Sequence, residues 1–208
     1  MEKKQNMKNI KALETKGKIC ESAYSLFKEK GFDGVSIDSI VEKAGVAKGS
    51  FYVHFESKNA VIAAFIAEYV NKVDLDYKAY VESFPDDTKA SDILIALAGK
   101  TADVITNDIG YDNMRTVYEI LIANTEKANA LLSYNRELYM TIHSIVSKGV
   151  KQGEFRADLS AENIAKHFLF ALRGFTYEWC IRHPDFNLKE TAIEHIQIIL
   201  WGIKKQIL

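Results

Sequence analysis

Between Ala47 and Lys58 the chain places Lys48, Ser50, Tyr52, His54 and Lys58, all able to bond a phosphate or a base edge, among the apolar Phe51 and Phe55. The two phenylalanines stand four apart, so in a helix they share one face and turn the polar residues outward. Gly49 has no side chain, so the backbone N–H groups of that first turn can approach an anion closely. Such a set suits a polyanionic duplex better than a reacting substrate: it has cations and hydroxyls but no paired acid and base.

Enzyme signatures fail residue by residue. Gly99-Lys100-Thr101 has the ending of a phosphate-binding loop, but the upstream glycine position is Leu94 and the surroundings read as helix. None of His54, His143, His167, His183 and His195 has a glutamate three residues before it, so a carboxylate-bridged metal bundle is unsupported. His-Glu-x-x-His, Cys-x-x-Cys and Gly-x-Ser-x-Gly are all missing from the sequence. We expect neither catalysis nor a metal or other cofactor. Cys20 and Cys180 both fall at apolar helix positions and read as small buried thiols.

The 208 residues hold only two prolines and eleven glycines, too few turn-formers for a sandwich or barrel, and 48% hydrophobic with 26% charged residues is the balance of a globular chain. The longest apolar run, Ala60 to Ala67, is far below the roughly 18 residues a membrane span needs. The charged N-terminus has no apolar stretch behind it, so we expect a cytoplasmic protein with no membrane partner. Net charge is −1 but unevenly spread: residues 1–20 hold six lysines against two glutamates. One basic end on an acidic body implies that only that end meets a polyanion.

Helices must position the polar set. Ile19, Ala23, Leu26 and Phe27 give one apolar face to a helix over about 7–30, closed by Gly31. Ser36 can cap a second helix with Asp38 in its first turn; Gly45 ends it, and a third short helix follows before Ser57. Val61, Phe65, Tyr69, Val73 and Tyr77 then step by four along a long fourth helix that Pro85 breaks. Amphipathic segments follow at about 91–107, 111–125 and 129–150. Ile164, Phe168, Leu172, Phe175 and Trp179, and then Ile193, Ile196, Leu200, Ile203 and Ile207, mark two last helices, 160–183 and 188–207, each with an apolar stripe. The expectation is an all-α chain.

A helix, a turn at Gly45 and a second short helix have the size of a helix-turn-helix, whose second helix enters the DNA major groove. The motif residues Phe27-Lys28-Glu29-Lys30-Gly31-Phe32, Val35-Ser36-Ile37-Asp38-Ser39-Ile40 and above all Ala44 to Phe55 with Ser57-Lys58 resemble the TetR family of bacterial transcriptional repressors. The resemblance covers residues 15–65. It implies an N-terminal three-helix DNA-binding domain, 1–56, and a larger helical domain, 57–208, that binds an effector and dimerises. It also implies that Ser36 and Lys48 contact phosphate or groove and that Gly49 and Ser50 approach closely. Tyr52, His54 and Lys58 would clamp the sugar-phosphate chain, and Val53 would read a base, such as a thymine methyl. Two positions depart from the pattern: Ala47 stands where relatives place a capping serine, and Asn59-Ala60 forgoes a capping box.

Gly149 to Arg156 is similar to a recurring family segment, and the closing hairpin is similar to the family's dimer interface. By that resemblance Phe168, Leu172, Phe175, Trp179, Ile193, Ile196, Leu200 and Ile203 would face a second copy of the chain. The effector cavity would be lined from among Phe65, Tyr111, Arg115, Tyr118, Asn124, Tyr139, His143, Phe168 and Tyr177. Their composition points to a small, largely apolar or aromatic effector. The expected partners are double-stranded operator DNA, a second copy and that effector. The alternative is a helical carrier or interaction protein whose short N-terminal helices only pack.

Overall fold

The computed structural model describes residues 2–31, 34–123, 132–182 and 185–204. Among these the chain is all-α. The first helices are α1 (Glu2–Lys30), α2 (Ile37–Ala44), α3 (Lys48–His54) and α4 (Lys58–Glu82). After them come α5 (Ala90–Asp103), α6 (Tyr111–Ala123), α7 (Glu137–Lys151), α8 (Ala161–Ile181) and α9 (Leu188–Ile203). No described helix is long and apolar enough to cross a membrane. Two compact units form, one of residues 1–69 with 116–128 and the other of 70–115 with 129–208, so packing divides the chain inside α4 and α6 rather than at a linker.

In the first unit Ile19, Ala23, Leu26 and Phe27 of α1 are buried with Val35, Ile40, Val41, Phe51 and Phe55. The punctuation is the one the sequence carries. Ser36 accepts from Ser39 N at 3.1 Å while its own N–H donates to Ser39 Oγ at 3.1 Å, a reciprocal cap. Gly45 takes the left-handed conformation at φ 66°, and Val46 N–H reaches back to Val41 O at 3.0 Å, closing α2 in a Schellman turn. Ala47 gives α3 no side-chain cap. Ser57 Oγ does cap α4, accepting from Ala60 N at 3.2 Å, so that helix starts at Lys58 without the missing glutamate.

In the second unit α9 packs on α5 and α8, and α7 on α5 and α8. One departure from the expected periodicity lies at the end of α5, where Val104–Ile109 widens into a π-helix that closes with Gly110 N donating to Ile105 O at 2.9 Å. The Gly149–Arg156 segment ties three helices. Gly153, at φ 72°, turns the chain, and Phe155 drops its buried ring onto Gly149. Glu154 then accepts from Ala90 N at 2.8 Å and Ser91 N at 3.1 Å, capping α5, while Arg156 N donates to Ile203 O at 2.9 Å on α9. A Cβ on Gly149 would stand 2.4 Å from the Phe155 ring and 2.9 Å from Ala90 Cβ. Gly149→Ala is therefore expected to lower stability by about 1–3 kcal/mol through overpacking, read from urea unfolding.

The eight residues proposed to face a second copy do not form a surface. Phe168, Leu172, Phe175, Trp179, Ile196, Leu200 and Ile203 are buried inside the chain, and Ile193 lies half-buried with its Cδ1 3.5 Å from where a Cβ on Gly99 would stand. That stripe is the core seam of α8 and α9. A stripe of period 3.6 shows that a helix has an apolar face but not whether its own chain covers it.

Candidate nucleic-acid interface

The exposed face of α3 is built by the burial of the opposite one. Phe51 is 0% and Phe55 5% exposed, their ring centroids 5.9 Å apart, and they fix the helix against α1 and α2. Lys48, Gly49, Tyr52 and Val53, at steps of one, three and one, then point to solvent, with Tyr52 52% and Val53 79% exposed. Ser50 and His54 sit half-buried at its margins. An exposed valine beside an exposed tyrosine, lysine and bare glycine gives a face with an apolar point for a base, a phenol and ammonium for phosphate, and room for close approach.

An exposed ion pair links this face to α2. Lys48 Nζ lies 2.7 Å from Asp38 Oδ1 of α2, both side chains exposed. The hydrogen bond to Asp38, with its charge second, holds the Lys48 ammonium above its ordinary pKa. Lys48 is thus parked across the turn, and a phosphate would exchange with a solvated carboxylate, an exposed pair of small intrinsic worth. Lys58 Nζ donates to Val35 O at 2.9 Å, so the same ammonium would serve both the domain and a phosphate. Ser36 likewise already works as the α2 cap, with its hydroxyl 3.3 Å from Ser39 Oγ. Lys43 Nζ donates to Ser25 Oγ at 2.7 Å, tying α2 to α1. Asp38 is the partner of Lys48 that sequence reasoning missed, because it is ten residues from Lys48 and only the tight turn brings the two together.

The model of the "Bacterial regulatory proteins, tetR family" matches residues 19–65, the three helices just described and the start of α4. The Transposon Tn10 TetC protein of Escherichia coli is 30% identical over 183 residues, which cover 87% of this chain and 85% of that one. The chain belongs to the TetR family. A second relative of this TetR chain, the HTH-type transcriptional repressor KstR2 of Rhodococcus jostii (strain RHA1), is 24% identical over 185 residues, covering 89% of each. Among solved TetR structures the Thermus thermophilus FadR repressor in complex with lauroyl-CoA superposes with a TM-score of 0.73 at 20% identity, covering 93% of this chain and 97% of that one. The FadR regulator of Bacillus subtilis, solved with stearoyl-CoA, gives 0.70 at 16% identity over 89% of this chain and 98% of that one. KstR2 and both FadR proteins are transcriptional regulators.

The residues expected to line an effector cavity lie in different settings. Tyr111 donates from its hydroxyl to Cys180 O at 2.8 Å and sets its ring edge-on to Trp179 at 5.4 Å. Burial pushes the neighbouring Cys180 thiol up to about 11, so it stays protonated near neutral pH, as an inert core thiol does. Tyr139 is buried between Tyr134 and His143, with ring centroids at 5.2 and 6.3 Å. Phe168 is buried in the helical core, Tyr118 is half-buried, and Arg115 and Tyr177 are exposed. The Phe65 side chain and Asn124 lie outside the described residues. Thus Tyr111 joins Trp179 and Cys180, Tyr139 joins His143, and Tyr177 lies on the surface.

An unanticipated anchor lies in the second unit. Asp74 of α4, 2% exposed, takes both Nε (3.0 Å) and a terminal nitrogen (2.7 Å) of Arg136, and also accepts from Leu138 N at 3.3 Å, the first turn of α7. Lys78 adds a 2.7 Å ion pair to Glu137 one turn further along α4. The C-terminal half of α4 is therefore fixed to the start of α7.

Proposed function

We propose that this TetR-family chain is a repressor that binds a palindromic operator as a homodimer and releases it on binding a small, largely apolar or aromatic effector. The observation that carries the DNA reading is the face of α3, where Lys48, Gly49, Tyr52 and Val53 stand out over a locked core. On this reading residues 1–56 meet the operator and 57–208 associate and take the effector. Lys48 and Tyr52 hold phosphate, Ser36, Gly49, Ser50, His54 and Lys58 support the approach, and Val53 reads a base.

The test is operator binding by purified protein, on a duplex selected from random sequence or taken from upstream of its own gene. Lys48→Ala is expected to weaken binding to all sequences alike and to flatten the salt dependence by about one unit. Tyr52→Phe is expected to weaken it without changing sequence preference, and Val53 replacements to change the sequence chosen. Unchanged affinity in folded Lys48→Ala and Tyr52→Phe proteins would sink the assignment.

Association has support in a second apolar line on α8. Phe170, Gly174, Tyr177 and Ile181, at steps of four, three and four, are exposed, and Ile198 and Trp201 of α9 are exposed beside Lys204. A groove of about 710 Å³ shares Phe170 and Gly174 with that line, and its wall also holds Phe186 and His195 with the charged Glu178, Arg182 and Asp185. We assign the dimer face to that line in place of the buried one. For the effector, small apolar and aromatic compounds are titrated first, and acyl-coenzyme A compounds, with which two proteins of this fold are solved, form the larger, charged comparison set. A coupling of about 1–3 kcal/mol would weaken operator affinity roughly 5- to 150-fold, and linkage requires operator DNA to weaken effector binding by the same factor.

A further inference from the structure

The first helix is longer than the three-helix domain needs. The α1 helix starts at Glu2, the first buried residue among its described side chains is Ile19, and the family match also begins at residue 19. The preceding stretch carries six lysines and two glutamates on a chain of net charge −1. In the helix Lys4, Lys8, Lys11 and Lys18 recur at four, three and seven residues, within roughly 80° of arc at 3.6 residues per turn. Glu2 and Glu21 fall off this row, while Glu14 stands between Lys11 and Lys18, three residues after one and four before the other. Lys11, Lys16 and Lys18 are exposed. Lys16 places its ammonium 5.9 Å from the ring centroid of Phe55, the residue that ends α3, so the stretch sets out from the end of the recognition helix.

We propose that this lysine-lined extension of α1 is a second DNA-contacting element, which holds phosphates of the duplex flanking the half-site that α3 reads. The inference rests on the operator-binding reading above. Residues 2–16 span about 21 Å as a helix, at 1.5 Å per residue, the length of about six base pairs of duplex. A row of four lysine positions interrupted by a single glutamate keeps an excess of positive charge that matches a line of phosphates, and needs no base-specific partner to add affinity. Met7, Ile10 and Leu13 are exposed on an adjoining face, which makes an anionic membrane surface the rival occupant. Continuity with α3 through Lys16 and Phe55 favours the duplex, since a helix lying in a bilayer surface would draw α3 away from its groove.

The experiment measures operator affinity of the full chain against salt for the parent protein, for a variant with Lys4, Lys8, Lys11 and Lys18 all replaced by glutamine, and for the matching arginine variant. A chain lacking residues 2–14 gives a second route, and Lys48→Ala marks the recognition helix. The glutamine variant is expected to lose about 0.9 of salt slope for each phosphate its lysines had neutralised, and to bind at least about tenfold more weakly at 100 mM salt, with unchanged sequence preference. Its hydroxyl-radical footprint should shorten at the flanks, and the arginine variant should restore slope and footprint. An unchanged slope and footprint in both the glutamine variant and the shortened chain, with the parent bound and Lys48→Ala impaired, would overturn the proposal and leave the operator reading standing. Loss of binding only to phosphatidylglycerol vesicles would overturn it in favour of the membrane. If the parent selects no duplex at all, the operator reading fails with it.

Discussion

Replacing Asp74 with alanine is expected to lower the stability of the protein by about 3–5 kcal/mol, the usual consequence of removing one member of a buried ion pair. The size follows from what is left behind. The Arg136 guanidinium, whose side chain is 18% exposed, keeps its charge but loses both carboxylate oxygens, and the Leu138 N–H at the head of α7 loses its acceptor at 3.3 Å. Asp74→Asn keeps one acceptor and its volume, so a smaller loss is expected. The neighbouring Lys78–Glu137 pair is 45% and 35% exposed, and a double-mutant cycle there should return less than about 1 kcal/mol. Urea unfolding of the two Asp74 variants and of the cycle's variants checks the ranking. A loss below about 1 kcal/mol for Asp74→Ala would mean that water reaches the pair and that α4 is not anchored there.

The same anchor shows what the sequence could and could not supply. Local chemistry was legible: Ser36 and Gly45 bound α2 as their types require, and the four-residue step from Phe51 to Phe55 turned Lys48, Tyr52 and Val53 outward. Those features depend on neighbours within one or two turns. Asp74 and Arg136 are 62 residues apart, and Glu154 caps a helix whose first residue lies 64 positions earlier. No periodicity encodes such meetings. The π-helical end of α5 escaped for another reason, since one widened turn leaves the apolar pattern of 91–107 nearly intact.

The largest disagreement concerns α8, and it makes a sharp experiment. That helix carries two apolar lines, one through Phe168, Leu172, Phe175 and Trp179 and the other through Phe170, Tyr177 and Ile181. Both step by four, three and four, counting Gly174 in the second, but the first has the greater bulk, so it looks like an interface, yet its side chains fill the chain's own core. Ile196→Asp would bury a carboxylate in the apolar seam, and Phe175→Glu would replace a buried ring whose centroid lies 6.0 Å from that of His195 with a charged chain of different shape, and both are expected to leave no folded protein, a loss above about 4–5 kcal/mol. Trp201 is 80% exposed, so Trp201→Glu meets solvent in the lone chain and should leave its thermal melting as a monomer intact. In the assembled protein the same glutamate would sit at the proposed two-fold contact, repelled by its own symmetry mate. Sedimentation of Trp201→Glu together with Phe170→Ser is therefore expected to give a folded monomer that no longer binds operator DNA, because two recognition helices must be held about 34–36 Å apart to reach successive major grooves. A folded, monomeric Phe175→Glu protein would reverse the assignment of the two lines, and a Trp201→Glu and Phe170→Ser protein that remains dimeric would place the contact elsewhere on the second unit.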